Sequence, residues 1–334
     1  MRHSAIRTGT VHPVLRFIGR FFAVLGVTVL GIALTLLGAI WTFTKGPSPT
    51  ARNEFVSTMT ETSALKFIPH IFLSKGEVDE ILNGNIIVET DETTDTSVDF
   101  TEKDETAQPL ELIDIAGPTY SGKLLIVQDP SRVKVACLPH FSEEIDGRTT
   151  EGFVKRSGAV AGINGGGFVD VNGFGSGGMP TGIVIKDGKL VCGSSSTVSS
   201  VIAFDNNDHL VVGQMSGAEA IAKGVRDAVS FGPALIINGE PAEVSGSGGG
   251  VNPRTVLGQR ADGAVLMLVI DGRQAHSLGA TYKDCIEVML KHGAINAGNL
   301  DGGSSTTLVY NGEVVNNCAG LYGARYIPTA FVVM

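Results

Sequence analysis

Two carboxylates stand out by position. Asp271 closes a continuous apolar strand, Ala264 to Ile270, and Asp301 closes another strand, Ala294 to Leu300, with a helical pattern from Thr281 to His292 between them. A strand, a helix and a strand in succession form a βαβ unit, whose strands run parallel and end on one edge of the sheet. Ligands of open α/β sheets bind at that edge, and two acids converging there suit acid–base work or stabilisation of a cationic transition state. Both acids precede glycine, in Asp271-Gly272 and Asp301-Gly302-Gly303, yet neither pair separates two apolar runs at hairpin distance. The plainer alternative is that each carboxylate only satisfies backbone amides in a tight loop.

Groups suited to an anion surround these acids in the chain. Asn164-Gly165-Gly166-Gly167-Phe168 follows an apolar strand, Val160 to Ile163, and its glycines would let backbone amides approach a ligand. Asn252-Pro253-Arg254 precedes another strand, and Arg254 with Arg273 offers two planar guanidiniums for bidentate phosphate contact. Ion pairing is the competing use of each arginine. Histidine transfers protons near neutral pH, which makes His276 a candidate, although a lone histidine more often serves as an ordinary hydrogen-bonding residue. The Gly302 and Gly303 amides, the Ser304 and Ser305 hydroxyls, and Asn164 with Gly165 are candidates for contacting a ligand. No Gly-x-Ser-x-Gly elbow, Walker loop or His-Glu-x-x-His helix is present.

The elements that must carry these groups read as a mixed α+β domain. Asp187-Gly188, Asn238-Gly239, Asp262-Gly263 and Asn311-Gly312 each separate two apolar runs, the signature of a type I′ hairpin, so much of the sheet is antiparallel. The βαβ unit is the exception. Thr281 caps its helix with Asp284 three residues on, and Gly293 stops it.

The chain has 334 residues, 43% of them hydrophobic, enough for a large core. A net charge of −9 without a clustered basic face argues against nucleic acid as a partner. Phe21 to Phe43 carries no charge, and these 23 residues make a helix of roughly 34 Å, enough to cross a bilayer. Arg2, Arg7, Arg16 and Arg20 precede it without any acid, which keeps that end in the cytoplasm and places the rest outside. A cleaved signal peptide is the alternative, but the end of the run, Ile40-Trp41-Thr42-Phe43, lacks small residues at a cleavage spacing. The expected organisation is therefore a cytoplasmic tail (1–20), a membrane helix (21–43), a stalk with an acidic linker (44–109) and one domain (110–334). The linker carries eight acids between Glu89 and Glu105 against the single base Lys103, a composition expected to stay solvated. Cys137, Cys192, Cys285 and Cys318 match no zinc spacing and read as buried free thiols. No cofactor is expected, and no metal ligand set is specified.

The ordered set of motifs carries a family likeness. Gly162-Ile163-Asn164-Gly165-Gly166-Gly167-Phe168, then Gly182-Ile183-Val184-Ile185 with Asp187-Gly188-Lys189, Arg254-Thr255 with Gly258, Asp271-Gly272-Arg273, and Asn299-Leu300-Asp301-Gly302-Gly303-Ser304-Ser305 resemble the phosphodiester glycosidase domain family. The resemblance covers about Ala116 to Met334. It implies hydrolysis of a sugar-1-phosphodiester, with release of the sugar and a phosphomonoester, and action on cell-envelope glycopolymers or exopolysaccharide in bacterial relatives. Two departures stand out: Gly323-Ala324-Arg325-Tyr326-Ile327-Pro328 replaces a Glu-Arg-Pro-like turn, and His276-Ser277 stands where many members have a glycine and a serine. In this reading Arg254 and Arg273 hold the phosphate while Asp271 or Asp301 orients water or supports an oxocarbenium-like transition state. The rival is a non-catalytic envelope protein that binds a phosphorylated glycan through the same arginines.

Overall fold

The computed structural model describes residues 13–102, 106–170, 175–320 and 323–334. Arg2, Arg7, Lys103, Asp104 and Glu105 lie outside the described residues. Helix α1 (Pro13–Lys45) spans 33 residues and is long and apolar enough to cross a membrane. It ends at Lys45, just ahead of Gly46-Pro47, with the Gly46 amide closing on Thr42 O.

The segment assigned to a stalk packs down on the domain instead. Ser48 caps α2 (Pro49–Glu61), and a Ser74–Glu77 capping box starts α3 (Lys75–Asn83). Val56, Leu73, Val78 and Ile81 bury a small core between them. Beyond, Ile87 bridges Val244 and Thr93 bridges Gly213. Thr94 is buried, donating to Asn296 Oδ1 (3.2 Å) and accepting from the Val212 amide. Glu89, Asp91 and Glu92 stay exposed throughout. A count of charges therefore describes the solvent face of this stretch, and Thr93 and Thr94 make its docking face.

In chain order the domain continues with β1 (Leu110–Ala116), β2 (Ser121–Val127), β3 (Val133–Cys137), α4 (Thr150–Ser157), β4 (Ala161–Asn164), β5 (Val184–Lys186) and β6 (Lys189–Cys192). Next come β7 (Val198–Asp205), β8 (Leu210–Ser216), α5 (Gly217–Ala222), β9 (Val225–Ser230), β10 (Ala234–Ile237) and β11 (Glu240–Pro241). The last third holds β12 (Arg254–Arg260), β13 (Val265–Ile270), α6 (Tyr282–Lys291), β14 (Ala294–Leu300), β15 (Leu308–Tyr310), β16 (Glu313–Val314) and β17 (Thr329–Val333).

Among the described residues these strands form three sheets, ordered β1-β2-β13-β12-β14-β10-β11, β16-β15-β4-β17-β3 and β6-β5-β9-β7-β8. One face of each turns to a common core in which Leu125, Met267, Leu257 and Leu300 meet Ile163, Phe331, Ile202 and Phe204. Burying each such side chain contributes roughly 1.5–3 kcal/mol. Helix α6 covers the far side of the first sheet through Cys285 and Met289. Its N-terminus carries the expected Thr281–Asp284 capping box.

The βαβ unit is present, but its two strands are not neighbours. Strand β12 lies between β13 and β14, antiparallel to both, so the parallel pair is split. The outcome for the edge is unchanged, since β13 and β14 still end together. Three of the four hairpin turns have positive φ at both central residues: Asp187-Gly188, Asn238-Gly239 and Asn311-Gly312. At Asp262-Gly263 only the glycine does, because the Asp262 carboxylate is engaged by the Ala264 amide and Arg260.

Candidate active site

Strand register brings the named groups to one edge. Arg254 opens β12 opposite Ile270, and Thr255 pairs with Leu300, so Arg254, Asp271 and Asp301 emerge together. The second sheet meets this edge through Asn164 at the end of β4. Its side-chain amide donates to the Asp301 carbonyl (2.6 Å), while its oxygen accepts from the Thr255 hydroxyl (2.8 Å) and the Thr307 amide (3.2 Å). Asn164 is fully buried, and both polar atoms of its side chain are engaged within the protein. It ties two sheets together rather than receiving a substrate oxygen.

The glycine run behaves likewise. The amides of Gly165, Gly166 and Gly167 donate to Thr329 O, Thr329 Oγ1 and Ser230 O. A Cβ on these residues would come within 2.5, 2.6 and 2.7 Å of neighbouring atoms. These glycines let the chain lie against β17 and β9, and no amide among them remains for a ligand. Gly302 and Gly303 are also spoken for, on Asp301 Oδ1 (3.0 Å) and Pro253 O (3.0 Å).

Asp301 leaves β14 with its amide on Gly165 O (3.2 Å). Desolvation pushes its carboxyl up to about 6, against the lowering effect of the Ser305 hydroxyl and the Gly302 amide. Asp170 raises it further and Arg325 opposes that. Such a group holds or releases a proton near neutral pH. Asp170 and Arg325 form an ion pair of 2.6 Å, with the guanidinium stacked 5.2 Å from the Phe168 ring centroid.

Asp271 is more deeply buried and differently supplied. Oδ1 accepts from Asn316 Nδ2 (3.0 Å) and the Asn317 amide (2.9 Å), and Oδ2 from Asn317 Nδ2 (3.2 Å). Its carbonyl accepts from Ser277. It anchors the 316–317 loop. Exposed His276 stands at the rim, its Nε2 3.5 Å from Asn317 Nδ2.

The two arginines are contacted by the segment expected to be a stalk. Arg254 is buried, its guanidinium 3.9 Å from the Tyr282 ring centroid, donating to the carbonyls of Ala280 and Gly250 and to Glu61 Oε2 (2.7 Å). Glu61 also takes the Asn252 side-chain amide (2.8 Å) and the Gly250 amide (2.7 Å). Arg273 reaches Thr62 Oγ1 and Asn252 Oδ1, each at 3.0 Å, from a backbone φ of 59°. That left-handed conformation is costly for a residue with a Cβ and is a mark of functional loops.

The structure thus gathers Asp301, Asp271, Arg254, Arg273, His276, Ser304 and Ser305 at one edge, and withdraws Asn164, Gly165 and the Gly302 and Gly303 amides into its support. Glu61, Asp170, Arg325, Asn316 and Asn317 join it without having been singled out as site residues. Asp170, two residues beyond the glycine run, and Arg325, in the unusual tail motif, had a signal; Glu61 had none.

A family model described as phosphodiester glycosidase matches residues 157–334. The SPbeta prophage-derived uncharacterized protein YomE of Bacillus subtilis (strain 168) is 30% identical over 179 residues, covering 51% of this chain and 27% of that protein. N-acetylglucosamine-1-phosphodiester alpha-N-acetylglucosaminidase of Bos taurus is 36% identical over 66 residues, 20% of this chain and 12% of the enzyme. The chain thus spans well under half the length of these relatives. In fold it is similar to the zebrafish N-acetylglucosamine-1-phosphodiester alpha-N-acetylglucosaminidase catalytic domain, described as auto-inhibited by pro-peptide, with a TM-score of 0.58 at 22% identity over 72% of this chain and 87% of that one.

Proposed function

The chain belongs to the phosphodiester glycosidase family, and from that premise we propose that it hydrolyses sugar-1-phosphodiesters, breaking the bond between the anomeric carbon and the phosphate oxygen. The observation that carries this is Asp301, a carboxyl raised to about 6 on an edge that also presents Arg273 and the Asp170–Arg325 pair. Departing phosphate is weakly basic, so charge stabilisation counts for more than proton donation to the leaving group. Water attacks the anomeric carbon, the electron pair of the broken bond leaves with the phosphomonoester, and ionised Asp301 takes the water's proton. Arg273 holds the phosphate. Ser305 borders the carboxylate, with Ser304 beside it in the chain, and Asp271 positions the 316–317 loop beside His276 rather than entering the chemistry.

Glu61 occupies Arg254 as an anionic ligand would. A substrate phosphate has to displace it to use that guanidinium, whereas exposed Arg273 can be reached without the exchange. Segment α2 therefore takes the part of an auto-inhibiting segment, as the pro-peptide does in the zebrafish relative. We assign the substrate to cell-envelope glycopolymers or exopolysaccharide, with α1 as an anchor and the domain outside, on the strength of the apolar helix and the cationic flank before it.

The test is the full chain in detergent against a panel of sugar-1-phosphodiesters, including teichoic-acid fragments. Equimolar release of reducing sugar and phosphomonoester is expected. Binding to the panel without release would overturn the reading in favour of a glycan-binding protein.

A further inference from the structure

A cavity of about 690 Å³ lies beside the C-terminal end of β3. Arg156 from the last turn of α4, Lys186 at the end of β5 and His140 from the loop after β3 line it, together with Met179 and the thiols of Cys137 and Cys192. Among the described residues, no carboxylate lies within ion-pair distance of Arg156, Lys186 or His140. Asp227 acts on Cys137 from nearby but is already paired with Arg226, and Asp187 neighbours Lys186 in the turn. Burial pushes both thiols up, so they stay neutral and offset none of the positive charge. In a chain of net charge −9, a cavity with this balance is an exception that favours an anion.

The cavity also shares the edge of the acids. Cys137 pairs with Thr329, and Thr329 O accepts the Gly165 amide, whose own carbonyl accepts the Asp301 amide. Two strand spacings separate Cys137 from Gly165, roughly 10 Å. Along the chain the link is Phe168 to Asp170: Val169 donates to Met179 O (2.8 Å), Phe168 carries the Arg325 guanidinium, and Asp170 pairs with it.

We propose that this cavity is a second anion subsite, holding a phosphate of the same substrate chain beyond the linkage being cleaved. The substrate class is then a polymer with repeated phosphodiesters, because a single small diester leaves the subsite empty and a neutral glycan has no use for its charge. The inference rests on the hydrolase reading of the Asp301 edge for its catalytic meaning, and its binding meaning is testable separately.

Two measurements decide it, both on the full chain in detergent. The first compares a monomeric sugar-1-phosphodiester with an oligomer carrying three phosphates, using wild type and the double variant Arg156→Gln/Lys186→Gln. Wild type should favour the oligomer, and the variant should raise KM for the oligomer about tenfold while leaving kcat and both constants for the monomer unchanged. Equal losses on both substrates, or no preference in wild type, would overturn the proposal. The second titrates inorganic tripolyphosphate by calorimetry, where the variant should bind about tenfold more weakly and salt should weaken wild-type binding. If no substrate is hydrolysed yet tripolyphosphate binding depends on Arg156 and Lys186, the hydrolase reading fails and the anion site stands; if the variant binds tripolyphosphate as wild type does, the site fails whatever the hydrolysis shows.

Discussion

Asp271 and Asp301 occupy equivalent places, each the first residue past a parallel strand and each followed by glycine, and the fold treats them in opposite ways. Around Asp271, three donors from Asn316 and Asn317 satisfy the carboxylate and leave it as a structural acceptor. Around Asp301, desolvation outweighs the two nearby donors, and the proton is held to about 6. Position in the topology made both acids candidates. The local supply of donors separates them: Asn316 and Asn317 supply three to Asp271, and none of these reaches Asp301.

The sharpest test of this contrast is Asp301→Asn, which keeps shape and removes charge. Turnover should fall by on the order of 10² to 10⁴, read as kcat on a sugar-1-phosphodiester, with the melting temperature at neutral pH preserved or raised. Retained turnover would move the chemistry to another group. The second test is pH. Because folding raises this carboxyl from 3.8 to about 6, ionising it costs folded stability: the favourable contribution is complete below about pH 4, declines as pH rises through 6 and is absent above. The stability advantage of Asp301→Asn over wild type should therefore appear only as pH climbs through that window, reaching at most about 3 kcal/mol. A gap independent of pH would show that Asp301 does not titrate there.

Asp271→Asn should give the opposite pattern. Its new amide would face the donors of Asn316 and Asn317, costing about 1–3 kcal/mol of stability, while turnover falls less than tenfold. A variant that melts normally but loses turnover as Asp301→Asn does would abolish the distinction between the two acids. The smallest effect is expected from Glu61→Gln, which weakens the contact on Arg254 without removing its shape; a rise of about two- to tenfold in kcat/KM would support displacement of Glu61 by substrate, and a fall would make Glu61 part of the working site.

What the sequence made legible follows the range of the interactions. Periodicity, the Thr281 cap and Gly293 located β13, α6 and β14, and Asn-Gly or Asp-Gly pairs located the hairpins, because those signals act within a few residues. The insertion of β12 between the parallel strands was hidden, since pairing order is set by contacts far apart in the chain. Glu61 reaches Arg254 across 193 positions, and Asn317 reaches Asp271 across 46. Neither has a local trace. The glycine run was visible but suggested the wrong purpose, as close backbone packing and ligand approach demand the same residue.

The Glu61 contact has a consequence for how affinity will be measured. A carboxylate held on Arg254 by its own chain is a competitor whose concentration never changes with dilution. If it leaves the guanidinium open in a fraction f of molecules, a ligand that needs Arg254 shows a dissociation constant larger by 1/f than the open site possesses. An opening of one molecule in about a hundred would hide about a hundredfold of intrinsic affinity, with no change in the chemical step once substrate is seated. The wild-type binding constant would then describe the occupancy of a tether as much as the complementarity of a pocket.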